Sequence, residues 1–327
     1  MGCNLSFARR LIPLSIVLIL PAQEPNVIIQ PRTPPPSAAT GSADRAAPNL
    51  RVDANLVLIP VLVTDAADRP VTGLEREHFR LLDDRSEQTI SHFTAEDVPV
   101  SVGLVFDSSG SMGPKLKKAQ AGVMQFLKTA NPADEFSLVQ VNDRALLLQG
   151  FTDRIEEIQN RLMFIGSKGR TALLDAIALS LNEMRHAKHS RKAILILSDG
   201  GDNNSRYTTK EIKARLREMD VQVYSIGIME PLAFRMRSPE EAEGAALLAN
   251  IAQQTGGQLF EVGDPDELPG IAVRVSAALR NQYVLGYVPT AGMRDGKYHR
   301  VQVKLVRAKG GPPLRVSFRS GYFAPVN

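Results

Sequence analysis

Cysteine is almost absent from this chain, which has a single one, Cys3, among 327 residues. A fold held together by disulfides is therefore excluded, and stability outside the cytoplasm has to come from the core or from a bound ion. The net charge is also small, at +4, and two of the positive charges, Arg9 and Arg10, lie close to the amino terminus. Because the other charges are mixed in sign, the composition predicts no nucleic-acid partner.

Several catalytic motifs are missing as well. The chain has no H-E-x-x-H motif of a metalloprotease and no G-x-S-x-G nucleophile elbow. The segment Gly166–Thr171 lacks the Lys-Ser/Thr spacing of a P-loop. We therefore expect a protein that is not an enzyme.

No apolar run is long enough to span a bilayer comfortably, since about 20 residues are needed. A short run, Leu11–Leu20, follows the arginine pair and precedes Pro21-Ala22-Gln23, which is the order typical of a signal peptide. We expect residues 1–23 to be a signal peptide and the protein to be exported, as a periplasmic, cell-surface or secreted protein. An uncleaved anchor is the alternative and would be its membrane contact. The first six residues also fit a myristoylation pattern, but the apolar run favours export.

The rest of the chain divides by composition and periodicity. Residues 24–50 are rich in proline and small polar residues, which predicts a disordered linker. Apolar segments of strand type occupy residues 51–98 and 282–327, whereas strand and helix patterns alternate through residues 99–281. Alternation of this kind predicts an α/β domain with a mostly parallel sheet. Neither flanking set closes a core alone, so we expect both to pair in one β-sandwich that carries the α/β domain as an insertion.

Three local patterns give finer expectations for the flanking strands. Pro60 interrupts the apolar run Leu56–Val63 and predicts a bulge or an edge position. The polar stretch Asp83–Glu87 predicts a turn that ends where the next strand, Thr89–Phe93, begins. Leu314–Phe323 is predicted as a single strand.

The apolar run Val100–Phe106 predicts a buried strand, and Asp107-Ser-Ser109-Gly-Ser111 follows it at once. In open α/β folds, ligands bind where strands end in this way. One carboxylate and two hydroxyls, alternating along a tight turn, can direct their oxygens to one point. Such oxygen ligands suit Mg²⁺, Mn²⁺ or Ca²⁺ better than Zn²⁺.

Two later segments add oxygen ligands of the same kind. Thr171 immediately precedes a predicted helix, and Asp199 ends a second buried strand, Ala193–Ser198. This set resembles the metal-ion-dependent adhesion site (MIDAS) of the von Willebrand factor type A family, which combines D-x-S-x-S with a distant Thr and a distant Asp. The family positions are matched without substitution by Asp107, Ser109, Ser111, Thr171 and Asp199.

The resemblance implies a Rossmann-like von Willebrand factor A domain with Mg²⁺, or Mn²⁺ or Ca²⁺, at these residues. It implies an exported protein-binding or adhesion module whose partner supplies an Asp or Glu carboxylate to the ion. A structural cell-envelope protein, stapled by the ion, and a metal-dependent hydrolase are the alternatives. A broader similarity to von Willebrand factor A-related proteins of acidobacteria rests on Val61-x-Val63-x-Asp65, Pro70–Leu74, Phe79 and Gly321–Phe323.

Two further carboxylates lie near this set along the chain. Asp202, together with its neighbour Asn203, follows Asp199 closely, and the two either shape the metal loop or belong to a solvated loop. Asp175 lies one helical turn beyond Thr171, and it either supports the site or is a surface helix residue.

Overall fold

The computed structural model describes residues 56–228, 239–289, 295–306 and 312–324, with the backbone alone for 239–242. The predicted signal peptide and linker lie outside these ranges. The strands are β1 (Val57–Thr64), β2 (Phe79–Asp83), β3 (Ser86–Gln88), β4 (His92–Thr94), β5 (Val100–Asp107), β6 (Glu135–Val141), β7 (Leu146–Thr152), β8 (Arg191–Ser198), β9 (Gln222–Ile228), β10 (Leu259–Val262), β11 (Tyr283–Tyr287), β12 (Tyr298–Leu305), β13 (Arg315–Phe318) and β14 (Gly321–Phe323). The helices are α1 (Leu116–Lys128), α2 (Ile155–Met163), α3 (Leu173–Glu183), α4 (Thr209–Glu218), α5 (Pro239–Thr255) and α6 (Leu268–Arg280). Within the described ranges, no helix combines the length and the apolar content that a membrane span needs.

The central sheet has the strand order β10-β9-β8-β5-β6-β7. Neighbouring strands run parallel except for β7, which is antiparallel to β6. Every residue of β5 and β9 is buried, as expected for strands covered on both faces. The predicted mostly parallel α/β sheet is confirmed.

The helices cover this sheet with separate apolar cores on its two faces. One core contains side chains of α1, α2 and α6, and the other contains side chains of α3, α4 and α5. Alternate residues of β5 point to opposite faces, so Phe106 belongs to the first core and Val105 to the second. The strand is thereby fixed on both sides, and its last residue, Asp107, has a defined position at the sheet edge.

The flanking strands form two further sheets among the described residues, in the orders β13-β1-β11-β4 and β14-β12-β2-β3. Each sheet mixes strands from before and after the α/β domain, since β1 pairs with β11 and β2 with β12. Apolar residues from both sheets share one core, in which the rings of Phe79, Phe93 and Tyr283 lie 5.1–5.9 Å apart. The predicted fold class, an α/β domain inserted in a small β-sandwich, is confirmed.

The structure decides between the two alternatives predicted at Pro60, a bulge and an edge position, because β1 passes through that residue as a regular strand. Pro60 lies opposite Val284 of β11, and the ladder to β13 begins only at Val61. On its β13 side the strand is therefore locally an edge, which accommodates the missing N–H of proline.

The turn predicted over Asp83–Glu87 is shorter than expected. It consists of Asp84 and Arg85, both with positive φ, at 43° and 74°, and β3 begins directly after them. Positive φ at both central residues is the geometry of a type I′ hairpin, which usually takes Asn-Gly. The sequence hides this turn because Arg85 stands where glycine is usual.

The single strand predicted over Leu314–Phe323 is also wrong. β13 pairs with β1 in one sheet, whereas β14 pairs with β12 in the other. The chain crosses between sheets at Arg319 and Ser320, where Arg319 donates to the carbonyl of Leu58 at 2.7 Å. A contact with a residue so far away in the sequence leaves no trace in local periodicity.

A partly buried arginine joins the α/β domain to the sandwich. Arg191, the first residue of β8, donates to the carbonyl of Val98, on the segment leading into the domain, at 2.8 Å. It also donates to the carbonyl of Leu279 at 2.6 Å and to Gln282 Oε1 at 3.1 Å, on the segment leading out. One side chain therefore holds both connections between the domains.

Candidate metal centre at the carboxyl edge of the central sheet

Three loops meet at the carboxyl ends of β5 and β8. The loop after β5 is bound to the loop before α3, because Gly110 N donates to the carbonyl of Gly169 at 3.0 Å and Lys168 N to that of Ser108 at 2.9 Å. The loop after β8 is bound to the same segment through Asn203, whose N–H donates to the carbonyl of Thr171 at 3.0 Å. The residues predicted from sequence thus lie on loops that hydrogen bonds join into one assembly.

Asp107 is the most deeply buried member of the set, with no exposed surface. Its Oδ1 accepts from Ser109 N at 2.9 Å, and its Oδ2 accepts from Ser198 Oγ at 2.6 Å. Burial, followed by the charge of Asp199, raises the pKa of Asp107 to about 6. The protein alone therefore compensates the negative charge of the ionised Asp107 carboxylate poorly.

The two serines of the motif lie side by side. Ser109 Oγ and Ser111 Oγ are 3.2 Å apart, with Ser109 buried and Ser111 exposed. Ser167 Oγ donates to the carbonyl of Ser109 and so fixes the turn from the neighbouring loop. The pair presents one sheltered and one solvent-facing hydroxyl.

Thr171 is buried, at 4% exposure, immediately before α3. Its N–H donates to Asn203 Oδ1 at 3.0 Å, and its carbonyl accepts from Asn203 N and Asn204 N. The threonine is therefore bound at both backbone groups to the loop that follows Asp199. Asn203 thus shapes the metal loop, which is one of the two roles predicted for it, whereas sequence reasoning did not single out Asn204.

Asp199 follows β8 and lies beside a lysine that sequence reasoning did not single out. Lys115 Nζ is 4.0 Å from Asp199 Oδ2, and both side chains are largely buried, at 11% and 12% exposure. Lys115 closes the turn that begins with the D-x-S-x-S motif. The protein thus supplies one positive charge of its own at this edge.

The structure decides between the alternatives for Asp202 and Asp175. Asp202 Oδ1 accepts from Leu173 N at 2.9 Å and from Ser205 Oγ at 2.6 Å, so it caps the start of α3. Asp175 Oδ1 accepts from Arg206 N at 2.8 Å and Tyr207 N at 3.1 Å. Both carboxylates fix the loop after Asp199.

The donor set fits a hard divalent ion. Neighbouring ligands of an octahedral ion lie about 2.9 Å apart for Mg²⁺ and about 3.4 Å apart for Ca²⁺, by the usual metal–oxygen lengths. The 3.2 Å between the hydroxyls of Ser109 and Ser111 falls between these values. A dication would also compensate Asp107 and Asp199, whose mutual repulsion contributes to the raised pKa of Asp107.

Residues 102–201, which contain every member of this set, match the family model of the von Willebrand factor type A domain. The chain contains a von Willebrand factor type A domain. A domain of this type suggests a role in protein interaction or adhesion. The narrower resemblance to acidobacterial proteins stays a prediction.

Two curated relatives share 24% identity with the chain. One is an uncharacterized protein of Borreliella burgdorferi, matched over 201 residues, which are 55% of this chain and 58% of that protein. The other is inter alpha-trypsin inhibitor heavy chain 4 of Mus musculus, matched over 153 residues, 42% of this chain and 16% of that protein. The chain thus spans only part of each relative. Among solved structures, the hypothetical protein BatB from Bacteroides thetaiotaomicron is 20% identical, with a TM-score of 0.44, over 55% of this chain and 98% of that one.

Proposed function

We propose that the protein is an exported, metal-dependent protein-binding module of the adhesion type, without enzymatic activity. Its cation site consists of Asp107, Ser109, Ser111, Thr171 and Asp199 and takes Mg²⁺, or Mn²⁺ or Ca²⁺. The observation that carries the proposal is the buried carboxylate of Asp107, held beside Asp199 and the paired serine hydroxyls. Export is inferred from the amino-terminal signal pattern.

The charges of the site favour an acidic partner. Asp107 and Asp199 together offset the two charges of a divalent ion, and the hydroxyl ligands add none. The ammonium of Lys115, near Asp199, adds one positive charge beside these ligands. An Asp or Glu carboxylate of the partner would neutralise that charge and complete the coordination of the ion when it is bound.

Exposure supports an accessible site over a purely structural staple. Gly110, Ser111 and Gly113 are exposed at the turn, whereas Asp107 and Ser109 beneath them are buried. A partner can therefore approach from the loop side while the protein ligands stay sheltered. The stapling alternative predicts a site without an exchangeable position.

The proposal is tested by calorimetric titration of Mg²⁺ and Mn²⁺ into the wild type and Asp107→Ala. We expect the substitution to weaken cation binding at least a hundredfold, because it removes the best-buried charged ligand and leaves hydroxyls that carry no charge. The fold should persist, since Asp107 lies at the sheet rim. Asp153→Ala is the matched control, because this exposed carboxylate pairs with Lys188 and should leave binding unchanged.

Equal cation affinity in the wild type and in folded Asp107→Ala would contradict the site. A Mn²⁺ complex that does not enhance water-proton relaxation would instead favour the stapling alternative, since it would have no exchangeable position. Capture of an envelope protein should require the divalent ion and should fail with Asp107→Ala.

A further inference from the structure

A second group of metal-ligand side chains lies in the β-sandwich, apart from the α/β domain. Asp83 ends β2, Asp84 begins the turn to β3, and His299 is the second residue of β12. β12 and β2 are antiparallel neighbours, with Val301 opposite Asp83. This pairing brings one ligand atom of each of the three side chains within 4.8 Å of the others.

Each carboxylate is held by one oxygen and presents the other to the same point. Asp83 Oδ2 accepts from Tyr287 Oη at 2.7 Å and from Tyr322 Oη at 2.8 Å. Asp84 Oδ1 accepts from Arg300 N at 2.9 Å. The remaining oxygens, Asp83 Oδ1 and Asp84 Oδ2, face His299 Nδ1 at 3.8 and 2.9 Å.

Two of these facing atoms are buried and unsatisfied. Asp83 has no exposed surface and His299 is 6% exposed. Among the described residues, neither Asp83 Oδ1 nor His299 Nδ1 has a hydrogen-bond partner. A buried polar atom without a partner is unfavourable by about 1–3 kcal/mol, and here two such atoms point toward each other.

The imidazole is oriented from its far side. His299 Nε2 lies 3.0 Å from Asp295 Oδ1. In the tautomer in which Nε2 donates to this carboxylate, Nδ1 presents a lone pair to Asp83 and Asp84. A carboxylate behind a histidine is the usual support of a metal-binding imidazole.

Three electron-pair donors directed at one point require a cation between them, either a proton or a metal ion. A proton on His299 Nδ1 would leave Asp83 Oδ1 without a hydrogen-bond donor, because the 3.8 Å between these two atoms exceeds hydrogen-bond range. A metal ion about 2.0–2.1 Å from each ligand sets neighbouring ligands about 3.3 Å apart. The observed 2.9 and 3.8 Å lie on either side of that value.

We propose that Asp83, Asp84 and His299 form a second metal site, for a divalent ion that accepts both nitrogen and oxygen ligands, such as Zn²⁺. The side chain of Asp84 is 46% exposed, which gives the ion a path from solvent. Bound there, the ion would join the β2–β3 hairpin to β12 and stabilise the sandwich. This inference does not depend on the function proposed for the von Willebrand factor type A domain.

The test uses Zn²⁺ and the Asp107→Ala protein, so that the first site does not contribute. Calorimetric titration should show one equivalent of Zn²⁺ bound, with a rise in the melting temperature. Adding His299→Gln or Asp84→Asn should weaken Zn²⁺ binding at least tenfold and abolish that rise. His92→Gln, at an exposed histidine of the same sandwich, is the matched control and should change neither quantity.

His299 is buried, so its variant alone is an insufficient test if folding fails. Asp84 is half exposed, and an asparagine there keeps the acceptor for Arg300 N, which makes the Asp84 variant the decisive one. Folded Asp84→Asn protein with parental Zn²⁺ affinity would overturn the site. Absence of Zn²⁺ binding in the parent would overturn it too, and would assign the cluster to an imidazolium among carboxylates.

Discussion

Replacing Asp107 with asparagine should stabilise the metal-free protein while it abolishes cation binding. The pKa of this carboxyl is about 6, against 3.8 in the unfolded chain. One pKa unit corresponds to 1.36 kcal/mol, so ionised Asp107 destabilises the metal-free fold by about 3 kcal/mol. Ser198 Oγ now donates to this carboxylate and would have to accept from the amide, which takes back about 1 kcal/mol.

The net gain of Asp107→Asn is then about 2 kcal/mol, or about 4–8 °C in melting temperature for a protein of this size. The gain depends on pH with a definite sign. The folded protein binds the Asp107 proton more tightly than the unfolded chain, so wild-type stability falls as pH rises from about 4 to about 6. The advantage of the variant is therefore complete above pH 6 and fades toward pH 4.

The assay is thermal melting with a chelator at several pH values, repeated at pH 7.5 with Mg²⁺. An ion at one hundred times its Kd stabilises the wild type by about 2.7 kcal/mol and leaves the variant unchanged. When the ion is added, the melting temperature of the wild type should therefore reach or exceed that of Asp107→Asn. Thr208→Ala is the control, since loss of this cap of α4 should destabilise by about 1 kcal/mol with or without the ion.

The reasoning is refuted if Asp107→Asn melts below the wild type in chelator at pH 7.5 and the difference in melting temperature is the same at pH 4. The ionised carboxylate of Asp107 would then not destabilise the metal-free fold.

Two further predictions concern the lysine beside the site and the junction between the domains. Lys115→Met should tighten Mg²⁺ binding at least tenfold, because it removes a positive charge 4.0 Å from a carboxylate ligand, and unchanged or weaker binding by calorimetry would contradict this. Arg191→Met should lower the free energy of unfolding by about 3 kcal/mol, since it leaves the carbonyls of Val98 and Leu279 without their donor. Hydrogen exchange should then speed up at Val98 and Leu279, and equal protection in the variant would show that Arg191 does not hold the junction.

Much of the site could be predicted from the sequence because its signals are local. A buried strand ending in D-x-S-x-S, a threonine before a helix and an aspartate after a second strand each lie within about ten residues. Parallel strands bring such ends to one sheet edge, so the grouping follows from the fold class. The alternation of strands and helices likewise predicts that class from periodicity alone.

The sandwich was predicted for a different reason, namely that neither strand set can bury a core alone. Which strands of the sandwich pair with each other could not be predicted from the sequence. The separation of Leu314–Phe323 into two strands depends on which sheet each half meets. The two-residue turn at Asp84 and Arg85 depends on ladder register, because Arg85 replaces the glycine that usually marks such a hairpin.

The residues that only the tertiary structure could bring together are far apart in the chain. Asp83 and Asp84 meet His299 across the ladder between β2 and β12, and Arg191 meets both ends of the inserted domain. In sequence each is a lone polar residue without a spacing pattern. Strand pairing creates their contacts, and it is set by the packing of the whole core. Local sequence patterns thus predicted the candidate metal centre, whereas only the assembled fold brings the second cluster together.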